Sequence, residues 1–205
     1  VVTLLAACSG AATSPSASPA VSSAPATPTP TPTPHPEDDE PGRPGDESFG
    51  VQSTGAKGEI EGYTNPVSAR PGEPVNLYVS TTAATVDVTA YRIGGYEGGR
   101  GRIVWSGTVT GAQQPAAQVV GSTRTVVAPW EPTTALQTAQ WPPGFYLLKL
   151  SVPSGAAWQV PFIVRSVTTT GRVALVAPTT TWQAYNTWGG RSLYTGPGGF
   201  GDRSY

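Results

Sequence analysis

Between Glu59 and about Arg165, no stretch keeps apolar residues at i, i+3 and i+4 over a helix length, so helices cannot supply a core there. The segment offers short apolar–polar alternation instead, which puts every second side chain on one face of a strand. Val75-Asn76-Leu77-Tyr78-Val79-Ser80 alternates in this way, as does Val86-Asp87-Val88-Thr89-Ala90-Tyr91-Arg92-Ile93. Arg102 to Val109, Thr125 to Ala128, Phe145 to Val152 and Trp158 to Arg165 are further strands by the same reading. Arg70-Pro71-Gly72-Glu73 and Pro142-Pro143-Gly144 separate them as tight turns.

Several short strands at this spacing predict a mainly β domain over residues 51–167. The expected architecture is an antiparallel β-sandwich of immunoglobulin-like or fibronectin-like type. The usual cysteine pair is missing, so packing alone must hold the core. Trp105, Trp141, Trp158, Phe145, Tyr146 and Leu148 are its expected large members. The glycine-rich turn Tyr91-Arg92-Ile93-Gly94-Gly95-Tyr96-Glu97-Gly98-Gly99-Arg100-Gly101-Arg102 is open to three readings: an ordinary hairpin, a ligand loop, or a lip that contacts the next domain. Trp130-Glu131-Pro132 and Trp141-Pro142-Pro143 are either core and seam tryptophans or an exposed aromatic pair for stacking on sugars.

The N-terminal quarter reads differently. Ten of the 22 prolines fall before residue 50, and residues 9–50 are dominated by Ala, Ser, Thr and Pro, including a Thr-Pro repeat over Thr27–Pro34. Such a segment buries too little to offset the entropy of ordering, so it is expected to be a disordered, semi-rigid tether. His35, the single histidine, lies inside it, which removes catalytic triads and histidine-based metal sites from consideration. Residues 1–8 look like the tail of a signal peptide: Leu5-Ala6-Ala7-Cys8 resembles a bacterial lipobox. In that reading Cys8 is lipidated and the mature chain is membrane-anchored and extracytoplasmic. With no methionine anywhere, Val1 is not a translational start, and the chain is expected to be clipped at both ends. A net charge of -1 with no lysine or arginine cluster argues against nucleic-acid binding.

After Val167 the pattern changes again. Val173-Ala174-Leu175-Val176-Ala177 is a continuous apolar run, expected to be a strand covered on both faces. It leads into Thr181-Trp182-Gln183-Ala184-Tyr185-Asn186-Thr187-Trp188-Gly189-Gly190-Arg191-Ser192-Leu193-Tyr194. Residues 171–205 are therefore read as the start of a truncated α/β domain, whose strand ends are the usual place for ligands.

That last motif resembles the large subunit of N,N-dimethylformamidase, in its β-subunit-like C-terminal part. Ile60–Tyr63, Ser68–Glu73, Tyr91–Tyr96, Trp141–Tyr146 and Pro161–Arg165 follow the same resemblance in order, from about Glu59 to Tyr194. The resemblance implies an amidohydrolase with mononuclear iron held by two tyrosines and a glutamate, acting on a small amide. It implies Tyr185 as an iron ligand, Tyr194 as a weaker candidate, and Asn186 and Arg191 as substrate or supporting contacts. After Arg172 the chain has no glutamate and Asp202 is its only acid, so the ligand set stays incomplete and the chain alone is expected to be inactive. The alternative function is a non-catalytic surface sandwich that binds glycan or protein, which requires Trp130 and Trp141 to be exposed.

Overall fold

The computed structural model describes residues 42–170 and 173–205; the expected lipidation site Cys8, His35 and the Thr-Pro repeat lie outside them. Ten strands follow in chain order: β1 (Ile60–Asn65), β2 (Ser68–Ala69), β3 (Val75–Thr81), β4 (Thr85–Tyr96), β5 (Gly99–Thr110), β6 (Gln118–Val120), β7 (Thr125–Val127), β8 (Thr134–Leu136), β9 (Gly144–Ser151) and β10 (Ala157–Val164). One sheet has the order β2-β10-β9-β4-β5 and a second the order β1-β3-β8, while β6 and β7 form a separate ribbon. Pairing is antiparallel except for the short parallel contact of β2 with β10.

The alternation read from the sequence sets which face is buried. Val75, Leu77 and Val79 of β3 point inward with Val86, Val88 and Ala90 of β4; Tyr146, Leu148 and Leu150 of β9 and Val160, Phe162 and Val164 of β10 complete the layer. Each valine, leucine and phenylalanine among them contributes about 1.5–3 kcal/mol on burial. Of the expected large members, Trp141, Tyr146 and Leu148 belong to this core, and Trp105 and Trp158 pack against it half-buried. Phe145 does not: the period of two turns it to the other face of β9, where it meets Trp182 edge-on at 6.3 Å. Trp130 and Trp141 are 9% and 4% exposed, so they present no sugar-stacking pair.

Residues 42–50 fall within the expected tether, yet they form part of the folded unit. Gly45 N–H donates to Glu97 O and Asp46 N–H to Gly101 O, which closes the free edge of β5 near its hairpin. The chain then crosses the outer face of the sheet. Ser48 Oγ meets the Tyr91 hydroxyl on β4, Lys149 Nζ on β9 donates to the carbonyls of Ser48 and Gly50, and Gln159 Nε2 on β10 donates to Phe49 O. Phe49, the one aromatic of this strap, packs edge-on against Tyr91. The glycine-rich hairpin thus pairs with the chain that precedes the sandwich, and this contact is not the one with a following domain that the sequence suggested. At Gly99 a Cβ would sit 2.7 Å from the Asp46 nitrogen, a distance that only glycine allows.

The run Val173–Ala177 is not a strand. It pairs with no described residue, and Val173, Leu175 and Val176 are 98%, 82% and 85% exposed. Apolar composition alone supplies no ladder partner, and a strand needs one to satisfy its backbone. The aromatic motif beyond it opens within a seven-residue helix, α1 (Thr179–Tyr185).

Candidate functional site

The motif from α1 to Tyr205 folds into a compact hook against the β6–β7 ribbon. Leu193 N–H donates to Ala184 O, and Ser204 N–H to Ser192 O, so the chain doubles back on the end of α1. Tyr205 N–H donates to Thr123 O, and Ser204 Oγ to Arg124 O, which ties the hook to the ribbon's turn. Gly189, at φ 71°, lies flat on the ribbon: a Cβ there would meet Val126 Cγ1 at 2.5 Å. Asn186 Oδ1 accepts the Trp188 N–H and fixes the turn out of the helix. Trp188 reaches back to the sandwich, donating Nε1–H to Glu61 Oε2 at 3.0 Å and packing edge-on against Trp130 at 5.6 Å.

Doubling back brings Tyr185 and Tyr194 together. Their rings stack at 4.5 Å with an interplanar angle of 21°, and they are 62% and 50% exposed. The neighbouring Tyr185 hydroxyl raises the pKa of Tyr194 above the ordinary tyrosine value. Two hard oxygen donors therefore stand side by side on one surface.

Asn186 and Arg191 come together elsewhere, on a cavity of about 270 Å³ between the hook and β7. Sequence reasoning missed its other polar walls, Gln183, Ser192 and Ser204, because their roles depend on the fold-back. Arg191 is largely buried and its Nη2 donates to Asp202 Oδ1 at 3.0 Å. Arg124 Nε approaches the same oxygen at 3.7 Å, and Gly198 N–H donates to Oδ2. Arg191 Nε is buried without an acceptor, a condition that costs about 1–3 kcal/mol unless a partner arrives.

A family model described as N,N-dimethylformamidase beta subunit-like, C-terminal, matches residues 87–205, which takes in β4 from Asp87 onward, β5 to β10 and the whole hook. The chain belongs to that family. No curated protein matches it. In this dimethylformamidase-like chain, the hook carrying Tyr185, Asn186, Arg191 and Tyr194 lies entirely within the matched residues.

An iron centre needs more donors than the hook presents. Among the described residues no group of three His, Cys, Asp or Glu side chains is placed to hold a metal. Asp202, the one acid of the hook, is committed to Arg191, Arg124 and the Gly198 amide. By donor chemistry, the stacked phenols fit hard-oxygen ligation as a partial set only. Among the described residues no helix is long and apolar enough to cross a membrane.

Proposed function

We propose that this chain serves an extracytoplasmic, dimethylformamidase-like hydrolase of small amides, held at the membrane through a lipidated Cys8. The observation that carries the reading is the stacked pair Tyr185–Tyr194 on an exposed surface of the family-matched hook. Tyr185 would give one oxygen to iron and Tyr194 is the second candidate, with the remaining donors coming from outside the described residues. Bound iron supplies Lewis acidity toward water and an amide carbonyl. The chain's own contribution is positional. α1 and the Leu193–Ala184 hydrogen bond hold the two phenols in register, while Asn186, whose Oδ1 accepts from Trp188, fixes the turn that lets the chain double back. The glycan- or protein-binding alternative loses support because Trp130 and Trp141 are buried.

Ferric iron titrated into the 205-residue chain tests this reading. The expected result is a visible phenolate-to-iron absorption band that disappears in Tyr185→Phe and weakens in Tyr194→Phe. A band untouched by Tyr185→Phe sinks the assignment. The chain alone, with iron added, is expected to release no formate from N,N-dimethylformamide, since the donor set is partial. Palmitate labelling in a bacterial host, lost in Cys8→Ala, tests the anchor.

A further inference from the structure

β5 forms one margin of the five-stranded sheet, and among the described residues its ladder partner is β4 alone. The strap covers only the start of that margin, where Gly45 and Asp46 pair with Glu97 and Gly101. Over residues 103–110 no described backbone group pairs with the outer side of β5. The ladder shifts register between Ala90 and Tyr91, so residues 105–110 are its regular stretch, and none of them is buried. Trp105 and Val109 pack against the core but are only half-buried, so the apolar layer is still open at this margin. Proteins ordinarily guard such an edge with charge or proline. Here no charged residue lies between Arg102 and Arg124, and no proline before Pro115.

We propose that two copies of this chain associate through this edge, β5 pairing antiparallel with the partner's β5 about a twofold axis at Gly107. The two five-stranded sheets then run on as one, and each copy satisfies the other's free backbone groups. That register keeps inward positions opposite inward positions. Trp105 meets the partner's Val109, and Ser106 meets the partner's Thr108. Trp105 and Val109 are thereby covered on the side that a single copy leaves open. Gly107 keeps the centre clear of a side chain; the Trp105 ring lies over it, and a Cβ there would meet Trp105 Cζ2 at 2.7 Å. Charge favours a second copy as the occupant. Each edge is uncharged, and a chain of net charge -1 repels its own kind little.

Sedimentation of the 205-residue chain from about 1 to 500 µM tests this, with a reductant present so that Cys8 cannot link two chains. The expected result is a reversible monomer–dimer equilibrium, with amide exchange at residues 105–110 slowing as concentration rises. Ser106→Lys with Thr108→Lys, both on exposed side chains, sets lysine opposite lysine and should weaken the dimer by about tenfold or more. Mixing that variant with Ser106→Glu, Thr108→Glu should restore pairing as a heterodimer. A monomer across the whole range overturns the proposal. So does a dimer in which exchange at residues 105–110 is unchanged, a dimer that the lysine pair leaves intact, or a mixture that stays monomeric. Neither iron nor hydrolysis is measured, so this result and the proposed function stand or fall separately.

Discussion

Trp188 donates its indole Nε1–H to the Glu61 carboxylate across 3.0 Å, joining the hook to β1 over 127 residues of sequence. Trp130 stands between them in space, tilted against Tyr63 at 5.5 Å and edge-on to Trp188 at 5.6 Å. The hook's contact with β1 therefore rests on one charged hydrogen bond and a row of rings. Trp188→Phe keeps the ring and loses the bond, so the hook should open more readily by about 1–2 kcal/mol. Glu61→Gln retains an acceptor oxygen and should cost less. Hydrogen exchange over residues 184–193 measures both, and equal protection in Trp188→Phe and the parent would refute the role.

Gly189→Ala meets two penalties together, a positive φ and a collision with Val126 Cγ1. We expect a loss of about 1–3 kcal/mol, confined to hook and ribbon. The readout is faster amide exchange at residues 118–127 and 188–193 with β9 unaffected. Unchanged exchange would mean the ribbon yields freely.

Phe162 and Phe145 should respond unequally to truncation. Phe162 is fully buried between the sheets, and Phe162→Ala should cost about 3–5 kcal/mol in urea unfolding. Phe145 is half-buried outside that core and loses chiefly its contact with Trp182, so Phe145→Ala should cost less than about 2 kcal/mol. Equal costs would contradict the inward-facing register of β9 and β10.

Acid should loosen the strap. The Arg100 side chain and backbone amide hydrogen-bond Glu47 and lower its pKa; the Ser48 hydroxyl and amide do the same for Asp46. Glu59, hydrogen-bonded by Ser154 and Ala56, and Glu73, by the Arg70 amide, are lowered as well. A carboxyl whose folded pKa is depressed stabilises the fold above its unfolded value, and that stability is lost as pH falls through the folded one. Melting temperature should therefore hold near neutrality and decline below roughly pH 4. Glu47→Gln should flatten part of that decline. A melting temperature that rises on acidification would reverse the sign and refute the account.

Strands whose inward positions are apolar were legible in the sequence, and β4 and β9 fall within a few residues of where alternation puts them. β1 was not, because its inward positions include Gly62 and Thr64, which give no apolar signal; Gly62 lies where a Cβ would strike Leu150 Cδ1 at 2.5 Å. Val173–Ala177 misled in the opposite sense, since apolar content carries no information about a ladder partner. At the site, the residue types were visible but their grouping was not. Tyr185 and Tyr194 meet only because Leu193 returns to Ala184, and that same fold-back sends Asn186 and Arg191 to a different surface.

The strap gives the unit a mechanical character. Tension arriving along the chain from the N-terminal side is met first at Gly45 and Asp46 on the β4–β5 hairpin, next at Lys149, and then at Gln159. Load is shared among four strands of one sheet before any of it reaches β1. The hydrogen bond between Glu61 and Trp188, and with it the seating of the hook, lies downstream of that clamp and is sheltered from a pull.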